Sequence, residues 1–230
     1  MSIADRLLEL LGSLGPRQVA LTLVAASALL LVVEERRLSM VPLLIQYPLL
    51  GPLVGSQIYR PVLFTRVGLG IAVCLILYVT AAHVQRELDL LMPPLRSQDT
   101  NQPAPTAPAS RAIDLAGMGL AFRLLVVALG GLVAYGMWRV YPLASVPAEV
   151  SLSGYWLVSM GLLVALTSID PLRTGLGVMT AINGFEGIYL HLEQSLVIIS
   201  LLGLLNILLA LGVATCSESW LESLEGEASG

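Results

Sequence analysis

Glu186 lies in an apolar stretch, residues 172–190, with Asn183 three positions before it. Residues three apart share one face of a helix, so a carboxylate and an amide point the same way. At bilayer depth a carboxylate costs at least about 2.5–3.5 kcal/mol, so it is kept where it has a partner or a task. Two roles suit this one. As a proton-relay group it takes up and releases a proton while amides hold it. As a packing group it hydrogen-bonds a neighbouring helix, or reaches headgroups or water from near the end of its span. Asn206, in the next apolar stretch, is the amide placed to meet it, and it also suits helix–helix packing. Glu193 follows Glu186 by seven residues and falls on the same helix face near the surface, and His191 sits at the span end.

Two arginines stand inside apolar runs. Arg66 is one to two turns into its span, close enough for its head to snorkel back to the interface. Arg123 is two to three turns into its own span, so its reach to the surface is longer, and an ion pair to Glu186 or another buried carboxylate is its alternative role. The relay candidates are therefore Glu186, Asn183, Asn206, Glu193, His191 and Arg123. No phosphate loop, nucleophile triad or dinucleotide fingerprint occurs. Cys74 and Cys216 are far apart, too few for an iron–sulfur cluster, and read as small apolar residues. We expect no catalytic residue, no cofactor and no metal.

The elements that must position these residues are membrane helices. Of 230 residues 56% are hydrophobic and 12% charged, about half the charged share of a soluble domain. The mean hydropathy is +0.83. The expected fold is all-α: a polytopic integral membrane bundle of about seven spans near 18–33, 38–58, 61–84, 114–140, 150–168, 172–190 and 194–216. Residues 2–12 read as a short interfacial helix. Pro42, Pro48 and Pro52 should kink or break the second span. The last two spans, joined by a short turn, should form a tight antiparallel hairpin. Glycines at 117, 119, 130, 131, 136, 175, 177, 184 and 187 have the spacing of close helix contacts.

Four segments follow: a three-span half (1–92), a Pro/Ala/Ser-rich linker (93–112), a four-span half (113–216) and an acidic tail (217–230). Spans one to three and five to seven run in the same sense, which makes a parallel three-helix repeat conceivable. Arg36, Arg37, Arg86, Arg96, Arg111 and Arg173 fall on one side, opposed by Arg6, Arg17, Arg60 and Arg139. The positive-inside rule then puts the N-terminus outside and the C-terminus in the cytoplasm. The acidic tail argues against nucleic acid as a partner; the lipid bilayer is the expected one.

The stretch from Asp170-Pro171-Leu172-Arg173 through Gly184-Phe185-Glu186 to Leu205-Asn206-Ile207 resembles the K-type membrane subunit of respiratory complex I. It is similar, too, to the E-type membrane subunit of group-four, formate-hydrogenlyase-type hydrogenases, also in Arg37-Leu38-Ser39 after the first span. The residue match is confined to about 170–212; the span layout extends it over the chain. The resemblance implies a non-catalytic membrane-arm subunit in a bacterial plasma membrane. Such a subunit binds other membrane-arm subunits, supports or contributes to proton translocation, and holds no redox centre. The chain departs from the K-type pattern in its last span, which has Asn206 where a second carboxylate is expected. Two rival functions are a stand-alone small transporter and a membrane scaffold or assembly protein.

Overall fold

The computed structural model describes residues 15–32, 39–53, 60–91, 120–193 and 195–229. Seven helices make up the described residues: α1 (Pro16–Val32), α2 (Met40–Leu53), α3 (Arg60–Leu91), α4 (Leu120–Val140), α5 (Ala148–Thr167), α6 (Pro171–Leu192) and α7 (Leu196–Ser229). Four contain stretches long and apolar enough to cross a membrane: Thr65–Leu88, Ala121–Val140, Ala148–Thr167 and Val197–Ser223. α1 is apolar but shorter, as is the Met40–Leu50 stretch of α2. The expected helix at 2–12, the linker at 93–112, the turn at Glu34–Arg37 and Gly117 and Gly119 lie outside the described residues.

Along the apolar stretches the outward faces of the helices are apolar, while exposed charges such as Arg17, Arg139 and Glu193 stand at helix ends. Leu125, Leu132, Leu166, Val197 and Leu201 are each more than 60% exposed, whereas Gln46, Arg66, Asn183, Glu186 and Asn206 are buried. Water-soluble folds put their charges outside. The inverse arrangement here, with the four apolar helices, points to integration in a membrane.

α6 is the central helix. Asp170 caps its start, accepting from the Leu172 amide at 3.1 Å, and Pro171 occupies the first turn, where its missing N–H costs nothing. Glycines bring its neighbours close. A methyl on Gly177 would stand 2.6 Å from the Gly161 carbonyl, and one on Gly184 2.7 Å from the Gly154 carbonyl. Both pairs are backbone-to-backbone approaches between α5 and α6 that only glycine permits. This α5–α6 hairpin, rather than α6–α7, is the tightest in the molecule. The α6–α7 pair is antiparallel and joined by residues 193–195, as expected, but α7 packs more extensively on α3 than on α6.

Three helix pairs far apart in sequence lie side by side: α1 on α5, α2 on α6 and α3 on α7. Their sense is parallel. Arg17 meets Glu149, and Ser27, ten residues on in α1, accepts from Trp156, seven residues on in α5. Gln46 meets Asn183, and four residues on in each helix Leu50 is what a methyl on Gly187 would touch. Leu69, near the start of α3's apolar stretch, faces Gly203, near the start of α7's.

Arginines finish α1. Arg173 donates to the Leu31 carbonyl at 3.2 Å, and Arg123 donates to the Val32 carbonyl at 3.0 Å. These are carbonyls that a helix leaves unpaired at its C-terminus, where cations are favoured. The starts of α4 and α6 therefore share one end of the bundle with the close of α1. The helix α2 runs unbroken through Pro42, Pro48 and Pro52, so the break expected there does not occur.

Candidate functional site: a buried carboxylate clamped from two helices

Six residues before the end of α6, Glu186 projects into the bundle at 1% exposure. Each carboxylate oxygen has its own donor. Arg66 of α3 donates through Nη2 to Oε2 as an ion pair. Asn206 of α7 donates through Nδ2 to Oε1 at 2.6 Å. Arg66 is 5% exposed and Asn206 is fully buried. On the α2 side, Tyr47 is buried within electrostatic reach of both charges. It packs so closely on α3 that a methyl on Gly70 would stand 2.6 Å from its Cβ. Beside it, Gln46 Oε1 accepts a long 3.5 Å contact from Asn183 Nδ2. A contact of that length is at the weak limit of a hydrogen bond.

This polar layer has more hydrogen-bonding capacity than its protein partners use. Gln46 Nε2, Tyr47 Oη, Arg66 Nη1, Asn183 Oδ1 and Asn206 Oδ1 are buried with no hydrogen-bond partner among the described residues, as is Thr180 Oγ1 one turn before Asn183. A pocket of about 270 Å³ opens beside the ion pair between α3 and α7, lined by Thr65, Arg66, Glu186, Ser200, Gly203 and Ile207.

The placement corrects two expectations. Arg66 does not snorkel: at six residues into α3 its head turns inward, because the Glu186 carboxylate lies within the bundle at that level. Arg123 does not pair with Glu186: it starts α4 at the opposite end of α6 and donates to α1 instead. The other candidates divide. Glu186 and Asn206 meet directly, and Asn183 joins the layer through Gln46. Glu193 is the exposed C-cap residue of α6, its amide donating to the Tyr189 carbonyl at 2.9 Å, and His191 is half-buried in the last turn. Neither reaches the pair.

Gln46 and Tyr47 were not foreseeable as site residues from type alone. One signal pointed to the first of them: Gln46 is the only amide in the otherwise apolar α2.

The chemistry open to this arrangement is defined by the clamp. A buried ion pair is costly to desolvate, and losing one partner costs about 3–5 kcal/mol because the other charge is stranded. A proton arriving at Glu186 cancels the charge that holds the Arg66 guanidinium, whichever oxygen takes it. Charge at Glu186 and the position of Arg66 are therefore one linked variable, while Asn206 holds Oε1. No family, curated protein or solved structure matches this chain.

Proposed function

We propose that this chain is a membrane-arm subunit of a complex-I-like or hydrogenase-related respiratory oxidoreductase, supporting proton movement and holding no redox centre itself. The observation that carries the proposal is Glu186, a carboxylate enclosed by apolar helices and gripped by Arg66 and Asn206. The surplus of buried donors and acceptors around it supports the same reading, since a group that exchanges protons needs partners in both protonation states. The broad apolar faces of α4 and α7 suit lipid or further membrane subunits.

The finer architecture belongs to the same proposal. Seven spans follow if α1, α2 and α6 join the four long apolar helices. α6, 22 residues or about 33 Å, has the length, and its polar residues face inward. A three-helix repeat is supported by the parallel pairing of α1 with α5, α2 with α6 and α3 with α7. The N-terminus is outside and the C-terminus cytoplasmic, in the bacterial plasma membrane.

A second reading, a small stand-alone transporter, draws on the 270 Å³ pocket beside the ion pair. One experiment separates them. Tagged protein is purified from its native membrane, and proton translocation is followed in sealed vesicles for wild type, Glu186→Gln and the double variant Arg66→Met/Glu186→Gln. The subunit reading expects stoichiometric co-purification of larger membrane and hydrophilic partners. It also expects the double variant to assemble while proton translocation falls. A chain that purifies alone and binds a small solute overturns it. Unchanged translocation in an assembled double variant removes the proton role.

A further inference from the structure

We propose that the turn joining α4 to α5 holds the phosphate of a membrane-lipid headgroup. The apolar stretches Ala121–Val140 and Ala148–Thr167 both stop at this turn, so it lies at headgroup depth. A pocket of about 280 Å³ opens there, lined by Trp138, Arg139, Val146, Ala148 and Ser151 among others.

Three features of the lining select an oxyanion. Arg139, exposed in the last turn of α4, supplies a guanidinium whose fork matches phosphate oxygens. The 20-residue helix α5 begins at the pocket with Pro147 as its N-cap, and Pro147 has no side-chain acceptor. Its first-turn amides are therefore left uncapped, at the end of the helix where anions are favoured. The decisive feature is Ser151. It lines the pocket at 1% exposure, and its hydroxyl has no partner among the described residues. A buried hydroxyl without a partner costs free energy that a bound acceptor recovers.

The site is built in advance. Tyr155 Oη donates to the Tyr141 carbonyl at 3.0 Å, the Tyr141 amide donates to Met137 at 2.8 Å, and the Val146 amide donates to Leu143 at 3.1 Å. Glu149, in the first turn of α5, is turned to Arg17 at 3.7 Å. Trp138 supplies the amphipathic wall usual at a membrane interface, and the exposed Val140 and Tyr141 lie beside it for the start of the acyl chains. Free phosphate shares the oxyanion chemistry but makes no use of that apolar border.

The test uses the full chain in detergent stripped of phospholipid. Melting temperature and native mass spectrometry are recorded with dioctanoyl phosphatidylglycerol, with dioctanoylglycerol (the same chains without phosphate) and with inorganic phosphate. The phospholipid should bind saturably and raise the melting temperature, the diglyceride should not, and inorganic phosphate should need at least about ten-fold more. Arg139→Gln and Ser151→Ala should each weaken phospholipid binding about ten-fold, the size of one charge-assisted hydrogen bond. Without lipid, Ser151→Ala should melt at or above wild type, because it deletes a hydroxyl that had no partner. Equal stabilisation by the diglyceride, or wild-type binding by both variants, overturns the proposal. Inorganic phosphate matching the phospholipid at equal concentration overturns the lipid assignment in favour of a free-anion site.

Discussion

Arg66 and Glu186 stabilise the bundle only as a pair. Glu186→Gln keeps an oxygen for Asn206 but strands a buried guanidinium, and should cost about 3–5 kcal/mol. Arg66→Met strands the carboxylate and should cost as much. The double variant Arg66→Met/Glu186→Gln should melt well above the level that the summed single losses predict, with a coupling of about 1–3 kcal/mol. Additive losses in thermal melts would mean that the two charges do not interact. Asn206→Leu removes one donor from the carboxylate and should cost about 1–3 kcal/mol, the desolvation penalty of one lost partner. Glu186 and Asn206 were legible in the sequence because each interrupts an apolar run. The identity of the cation was not. An arginine near a helix start looks the same whether it reaches headgroups or turns inward, and only the tertiary register of α3 on α6 decides between them.

Helix contacts here depend on which glycines face a backbone. Gly161→Ala places a methyl 2.5 Å from the Gly177 carbonyl, with no flexible side chain to yield, and should cost about 1–3 kcal/mol or more. Gly136→Ala is the control: nothing lies within 4 Å, and helix propensity alone should make it neutral or stabilising by about 0.5–1 kcal/mol. Comparable melting of the two variants would show that the α5–α6 seam is not close-packed. Arg173→Gln removes a cation from the end of α1 and should cost about 1 kcal/mol. Faster amide exchange confined to the neighbouring turns would report it. The sequence carried the small-residue spacing but not which partner each glycine meets: Gly177 faces α5, Gly175 faces Val213 of α7 and Gly187 faces Leu50 of α2. Helix ends were read short for a physical reason. Hydropathy marks only the apolar part of a helix, whereas α3 runs on to Leu91 and α7 to Ser229 through polar residues that still favour helix.

Among the described residues, α1, α2 and α3 lie on α5, α6 and α7 in the same sense, with α4 between them in sequence. Its all-helical, apolar-surfaced character was plain from composition. The pairing of α1 with α5, α2 with α6 and α3 with α7 was not, since each contact is made by different residue types: an ion pair for α1 on α5, an amide contact for α2 on α6, a glycine–leucine contact for α3 on α7. The proposed orientation, N-terminus outside and C-terminus cytoplasmic, expects that a cysteine placed at residue 2, with Cys74 and Cys216 replaced by serine, reacts with an impermeant maleimide added to intact cells. One placed at residue 229 should react only after the membrane is opened. The reverse pattern would invert the orientation. α7 itself has a mechanical consequence. Its 34 residues extend about 51 Å, against about 30 Å of hydrocarbon, so a stiff rod overhangs the bilayer. Asn206, its grip on the buried carboxylate, is about 35 Å from the far tip, so a 10° swing about that fulcrum would carry the tip about 6 Å.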